Sequence, residues 1–169
     1  YLSTLAFNND IWETNKYCSK FNIGIEFSSG IPHDEQNLNY FKKVFNKKLS
    51  HNYFPAPKKE FVINLASKNE EIRKKSIEHC IQNLELCLKH KTKFYAAHAG
   101  FCIDPSSAQL GKEILSGSTF DKEEYFKIFL LSVKEIIDKA EKLQVLFLIE
   151  NNVLSDINIK ANNNINPFL

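Results

Sequence analysis

The chain has 169 residues, of which 43% are hydrophobic and 25% charged, as in an ordinary globular domain. Lys and Arg number 22 against 20 Asp and Glu, a formal net charge of +2. A balance this close argues against a nucleic-acid or membrane-surface partner chosen by charge. No apolar run approaches the roughly 20 residues of a membrane span, and no charged-then-apolar leader opens the chain. Cys18, Cys80, Cys87 and Cys102 form neither a Cys-x-x-Cys pair nor a disulfide framework. These features together predict a cytoplasmic protein, with residues 1–169 forming one domain. The chain holds no Met and opens inside a predicted strand, which points to trimmed termini or a longer parent chain.

Residues 2–7 are short and apolar and read as a first strand. Asn8, Asn9 and Asp10 follow as cap candidates for a helix over 11–21. Residues 23–28 form a second predicted strand, with Glu26 near its end. Gly30, Pro32 and His33 make a loop, and Asp34 caps a helix whose apolar stripe is Leu38, Phe41, Val44 and Phe45. The third strand, 49–54, carries His51 and is ended by Pro55 and Pro57, because proline cannot donate to a sheet ladder.

Ser67 and Asn69 can cap a long helix reaching about His90. Ile77, Cys80, Ile81, Leu84 and Leu88 share one of its faces. A fourth strand over 93–100 carries His98, and the long loop 101–120 has the length of a lid or binding segment. Asp121 with Glu124 opens a helix whose predicted stripe is Phe126, Phe129, Leu130, Val133, Ile137 and Ala140. It leads into 145–152, five large apolar residues followed by Glu150, Asn151 and Asn152. Such a run predicts a parallel strand buried on both faces. An Asn-rich tail covers 158–166.

Strict β-α alternation predicts a parallel sheet with right-handed crossovers. Four consecutive strands each place an ionisable group near the carboxyl end: Glu26, His51, His98 and Glu150. Each has an ordinary explanation. Glu150 can mark where a strand enters solvent, His98 can be a core histidine, His51 can be exposed, and Glu26 can pair with a Lys. Their conjunction favours a site, and two imidazoles with one or two carboxylates suit a divalent cation such as Zn²⁺ or Mn²⁺. His33, His79 and His90 read as solvated. The absence of Gly-x-Gly-x-x-Gly, P-loop and nucleophile-elbow motifs removes support for nucleotide and acyl-transfer chemistry.

Several short motifs, in order and spacing, carry a resemblance. They are Ser3-Thr4-Leu5-Ala6-Phe7, Gly24-Ile25-Glu26, His51-Asn52-Tyr53-Phe54-Pro55, His98-Ala99-Gly100-Phe101 and Ile149-Glu150-Asn151-Asn152. Ile63-Asn64-Leu65-Ala66-Ser67, leading to Glu70-Glu71-Ile72-Arg73, completes the set. On these the chain resembles the sugar phosphate isomerase/epimerase group of xylose-isomerase-like TIM barrels, which also contains the endonuclease IV type of abasic-site nuclease. The resemblance implies a parallel (β/α) barrel with strands 1–5 present. It implies a divalent metal (Zn, Mn or Mg) held by Glu150, His98 and His51, with Glu150 and His98 catalytic. Glu26, His51, Asn52 and Asn151 become substrate-binding candidates for a small sugar or sugar phosphate. The group's other ligands come from strands six to eight, and a full barrel takes about 250 residues, so the domain is expected to be incomplete at its C-terminal end.

Two alternatives stay open. One is the abasic-site nuclease, disfavoured by the near-neutral charge. The other is a non-catalytic five-stranded doubly wound open sheet, for which strand order 2-1-3-4-5 would be diagnostic. A homo-oligomer is compatible with each reading.

Overall fold

Short strands and longer helices alternate in the computed structural model, which describes residues 1–44, 47–110, 112–114, 121–152 and 156–161. In chain order the elements are β1 (Leu2–Ser3), a 3-10 turn (Thr4–Phe7), α1 (Ile11–Phe21), β2 (Ile25–Phe27), α2 (Glu35–Lys43) and β3 (Lys48–Ser50). Then come α3 (Glu70–His90), β4 (Phe94–His98), a second 3-10 turn (Ser107–Gln109), α4 (Lys122–Leu143), β5 (Leu146–Glu150) and α5 (Asp156–Ala161). They fall into two compact units, residues 1–59 with 80–97 and 140–148, and residues 60–79 with 98–139 and 149–169. Among the described residues, no helix is long and apolar enough to cross a membrane.

In the first unit, β1, β2 and β3 form a parallel sheet with β2 in the middle. Leu2 pairs with Ile25, and Ile25 in turn with Lys48. This order is 1-2-3, whereas a doubly wound sheet of the alternative kind would place β1 between β2 and β3. The chain-order pairing continues, because His51 bridges Ala96 of β4 in parallel, and β4 pairs with β5. The core here gathers Ile11, Cys18, Ile25, Phe27, Ile31, Phe41 and Phe54. Phe27 anchors it, with its ring centroid 5.0 Å from Phe41 and 4.9 Å from Phe54. Leu38 and Val44 are half-buried as their stripe predicts, and Phe45 lies outside the described residues.

The helix starts follow the expected chemistry. Asp10 accepts from the Glu13 amide at 3.0 Å, Asp34 from Gln36 at 2.7 Å, and Asp121 from Glu123 at 3.0 Å. The helix ends add something less legible. Lys48 reaches from β3 to the carbonyls of Phe41 and Val44, the latter at 3.0 Å. A cation there satisfies orphan acceptors at the C-terminus of α2.

Five expectations need correction. The first strand stops at Ser3. The Ser3 hydroxyl accepts from the Leu5 amide, and Asn8 closes the turn in the left-handed conformation. Thr4 turns inward and is fully buried, donating to Asn9 Oδ1 at 3.2 Å and accepting from the Ser28 amide at 3.1 Å. Side-chain bonds of this kind compete with extended backbone.

The apolar run before Glu150 is not buried on both faces. Leu146, Leu148 and Ile149 are exposed, while Phe147 is half-buried and stacks on Tyr95 with centroids 6.1 Å apart. Periodicity cannot distinguish a strand covered on one face from one covered on two when every residue is apolar. The same ambiguity moves the stripe of α4. Phe129, Ser132, Ile136 and Ala140 are buried, whereas Phe126, Leu130 and Ile137 are exposed. Ser132 tolerates burial because its hydroxyl donates to the Ile128 carbonyl at 3.2 Å. On α3 likewise, Cys87 takes the buried place expected of Leu88, which is exposed.

His79 and His90 are not solvated. His79 is buried, with Phe61 edge-on at 6.2 Å, and His90 is half-buried and edge-on to Phe41 at 5.5 Å. His33 is exposed and bonds the Ala56 carbonyl through Nδ1 at 2.7 Å. Burial, then the neighbouring Lys48, Lys89 and Lys42, pushes the His90 pKa down, and its Nε2 is buried without a hydrogen-bond partner. The folded chain therefore holds His90 neutral while the unfolded chain protonates it near pH 6.5. Its contribution to stability is full above that pH and is lost as pH falls toward the lower folded value. Melting temperature should fall on acidification from about pH 6.5 to 5, above most carboxylate titration, and His90→Gln should flatten that slope. Equal slopes for the two proteins in thermal melts would refute the assignment.

Candidate metal centre

The parallel strands bring their ionisable residues to the carboxyl ends by register. In the second unit, His98 is the last residue of β4 and Glu150 the last of β5. The Ala99 amide donates to the Glu150 carbonyl at 3.0 Å, locking the two strand ends side by side. The His98 imidazole and the Glu150 carboxylate present ligand atoms within 4.8 Å of one another, with His98 half-buried and Glu150 exposed. One imidazole nitrogen and one carboxylate oxygen at that spacing form half of a four-coordinate donor set.

The backbone behind this pair is tightly tied. Gly100 has φ +121°, and a Cβ there would lie 2.6 Å from Asn64 Oδ1. Only glycine tolerates both the conformation and the approach. The Gly100 carbonyl accepts from Asn152 Nδ2 at 2.6 Å. The fully buried Asn64 holds the following residues, accepting from the Phe101 amide at 3.0 Å and donating to the Ile103 carbonyl at 2.8 Å.

In the first unit, His51 directly follows β3. Its amide donates to the Phe27 carbonyl at 3.1 Å, and its own carbonyl accepts from the Phe54 amide at 3.1 Å. The bridge to Ala96 sets it beside β4, two residues before His98 in sequence. Glu26 is half-buried in the middle of β2, in register with Ser3 and Leu49, and so one pleat before the level of His51. Asn52 has φ +47°, with its amide donating to the Ala96 carbonyl at 2.8 Å and its carbonyl accepting from the Tyr95 hydroxyl. Asn151 is exposed just past Glu150.

The sequence reading missed the supporting residues. Tyr95 reads as one apolar position of a strand, and Asn152 as the second of two interchangeable amides. Asn64 enters there only within a motif, although an Asn between apolar residues is itself a sign of a buried side chain with several partners.

No protein-family model matches the chain. It is 32% identical over 90 residues to the probable endonuclease 4 of Persephonella marina (strain DSM 14350 / EX-H1), covering 53% of this chain and 26% of that relative. Over 40 residues it is 52% identical to the probable endonuclease 4 of Sulfurihydrogenibium sp. (strain YO3AOP1), covering 24% and 14%. Among solved structures, a D-tagatose 3-epimerase-like protein superposes with a TM-score of 0.64 at 17% identity, covering 92% of this chain and 53% of that one. The D-psicose 3-epimerase of Clostridium cellulolyticum H10, solved with D-tagatose, gives 0.56 at 19% identity, covering 85% and 47%.

The fold is that of the TIM-type (β/α) barrel seen in these epimerase structures, built on parallel strands. The chain supplies its first five strands and spans about half the length of these structures. The expected resemblance and fold class are both borne out. In such barrels the carboxyl ends of the strands carry the chemistry, which is where Glu150 and His98 stand.

Proposed function

We propose that His98 and Glu150, joined by His51, hold a divalent metal in an isomerase or epimerase acting on a sugar or sugar phosphate. The observation that carries this is the pairing of an imidazole and a carboxylate at the ends of adjacent strands, in the fold of sugar epimerases. Two imidazoles and one carboxylate are a fitting donor set for Zn²⁺ or Mn²⁺, and less so for Mg²⁺, which prefers oxygen. Such an ion, when bound, supplies Lewis-acid polarisation of the substrate carbonyl.

The chain's own residues do the rest. Glu150, exposed at the mouth of the fold, takes the proton from the carbon beside the carbonyl. Its return to the former carbonyl carbon, with the hydroxyl proton passing between the two oxygens, moves the carbonyl, whereas inversion takes a proton delivered to the opposite face by a second group. His98 and His51 orient the substrate, and Glu26, Asn52 and Asn151 meet its hydroxyl groups. A cytoplasmic location and a small-molecule partner are part of this reading.

The test uses the full-length protein in D₂O with added Zn²⁺ or Mn²⁺ and a panel of ketohexoses and sugar phosphates. Solvent deuterium should appear at the carbon next to the carbonyl, and only with metal present. Saturable metal binding with no exchange on any substrate would count against the proton-transfer role.

A second reading is abasic-site cleavage, favoured by the similarity to two probable endonuclease 4 proteins. The formal charge of +2 weighs against it, because phosphate-backbone binding draws on a strongly basic face. Cleavage of abasic duplex with steeply salt-dependent binding would put this reading first.

A further inference from the structure

We infer that Tyr95 is a positioning residue for His51, its buried hydroxyl fixing the turn that carries this candidate ligand. The inference rests on the proposed metal role of His51. β3 ends at Ser50, and the chain leaves it through a tight turn closed by the bond from the Phe54 amide to the His51 carbonyl. Asn52, at the centre of that turn, stands in the left-handed conformation with φ +47°. A non-glycine residue keeps such a conformation when its surroundings over-determine it.

Here they do, from both sides. Consecutive residues of β4 grip one residue of the turn: Ala96 accepts the Asn52 amide at 2.8 Å, and the Tyr95 hydroxyl donates to the Asn52 carbonyl. From the opposite direction the Ser29 hydroxyl donates to the His51 carbonyl at 3.4 Å and accepts from the Tyr53 amide at 3.4 Å. Of these groups the Tyr95 and Ser29 hydroxyls can each be deleted by a single substitution without touching backbone, and Tyr95 is the fully buried one. Its ring is fully buried and stacks on Phe147, so the phenol oxygen has a fixed place. The Cys80 thiol lies beside that oxygen, and burial pushes the thiol up to about 12, so it stays a neutral neighbour. A buried phenol needs a partner wherever it sits. What singles this one out is that its partner is the residue next to the ligand.

Removing the hydroxyl therefore frees the turn while leaving the strand's apolar packing in place. Outer groups that orient metal ligands typically change affinity by 10–100-fold when lost. The experiment titrates Zn²⁺ into the full-length protein and records the visible spectrum of the Co²⁺-loaded form, for wild type, His51→Ala, Tyr95→Phe and Ser29→Ala. Ser29→Ala deletes the opposing side-chain bonds to the same turn without altering the core, so it decides whether holding the turn holds the ligand if Tyr95→Phe does not fold. The expected result is a loss of Zn²⁺ affinity of about tenfold in both turn variants, with a shifted Co²⁺ spectrum. If His51→Ala weakens binding while both turn variants bind like wild type and lose only thermal stability, the positioning role is overturned and the metal reading stands. If His51→Ala binds like wild type, the metal reading fails and takes the inference with it.

Discussion

Replacing Glu150 with Gln is expected to lower kcat by about two to four orders of magnitude on whatever substrate the full-length protein turns over. The amide keeps the shape of the carboxylate but gives up its charge, and with it both the anionic ligand and the proton carrier of the proposed mechanism. Glu150 is exposed at the end of β5, so the melting temperature should move little, by the equivalent of about 0.5 kcal/mol or less. That split separates a chemical role from a structural one. His98→Ala should show the same loss of metal, with a larger effect on stability because the imidazole is half-buried. Metal content by elemental analysis, turnover and thermal melts on the same preparations decide the point. Undiminished turnover in the Glu150 variant, on a confirmed substrate, sinks the assignment.

The largest expected effect on stability belongs to Asn64→Asp, a change of a single atom type. The Asn64 side chain is fully buried and makes four hydrogen bonds. Its oxygen accepts from the amides of Phe101 at 3.0 Å and Ala66 at 3.1 Å. Its nitrogen donates to the Ile103 carbonyl and to Asp104 Oδ1, both at 2.8 Å. A carboxylate in its place points an oxygen at two acceptors, one of them another carboxylate. Leaving a buried charge uncompensated costs about 3–5 kcal/mol. At about 2–4 °C per kcal/mol for a chain of this size, the melting temperature should drop by roughly 10 °C or more. Urea and thermal unfolding would measure this, and a loss under about 1 kcal/mol would show that the segment after His98 holds by other means.

How much of this could be read from sequence depended on the range of each interaction. Helix starts were legible because the carboxylates of Asp10, Asp34 and Asp121 act within three residues of themselves. The strand-end set was legible for a related reason, since His98 and Glu150 reach their neighbouring strand ends by parallel pairing, which β-α alternation already implies. What failed was whatever depends on a distant partner. Thr4 leaves the strand to reach Ser28, 24 residues on. His79 is buried because Phe61 stands against it. Asn64 bonds residues 37 to 40 positions later, and no periodicity encodes that. Helix α4 is apolar on too many sides for its pattern to choose a face, so packing chose Ile136 over Ile137.

The four cysteines carry a consequence for how the protein meets oxidants. All four are free and buried, and burial raises every one of their pKa values. A thiol that is neither ionised nor accessible reacts slowly with disulfides or peroxides. Their reduced state is thus maintained by the fold itself, and so it is no gauge of the compartment around them. It also makes them natural reporters of breathing. A labelling reagent reaches Cys18 only when α1 lifts, Cys80 and Cys87 only when α3 does, and Cys102 when the segment after β4 opens. The modification rate of each then clocks a separate local unfolding event.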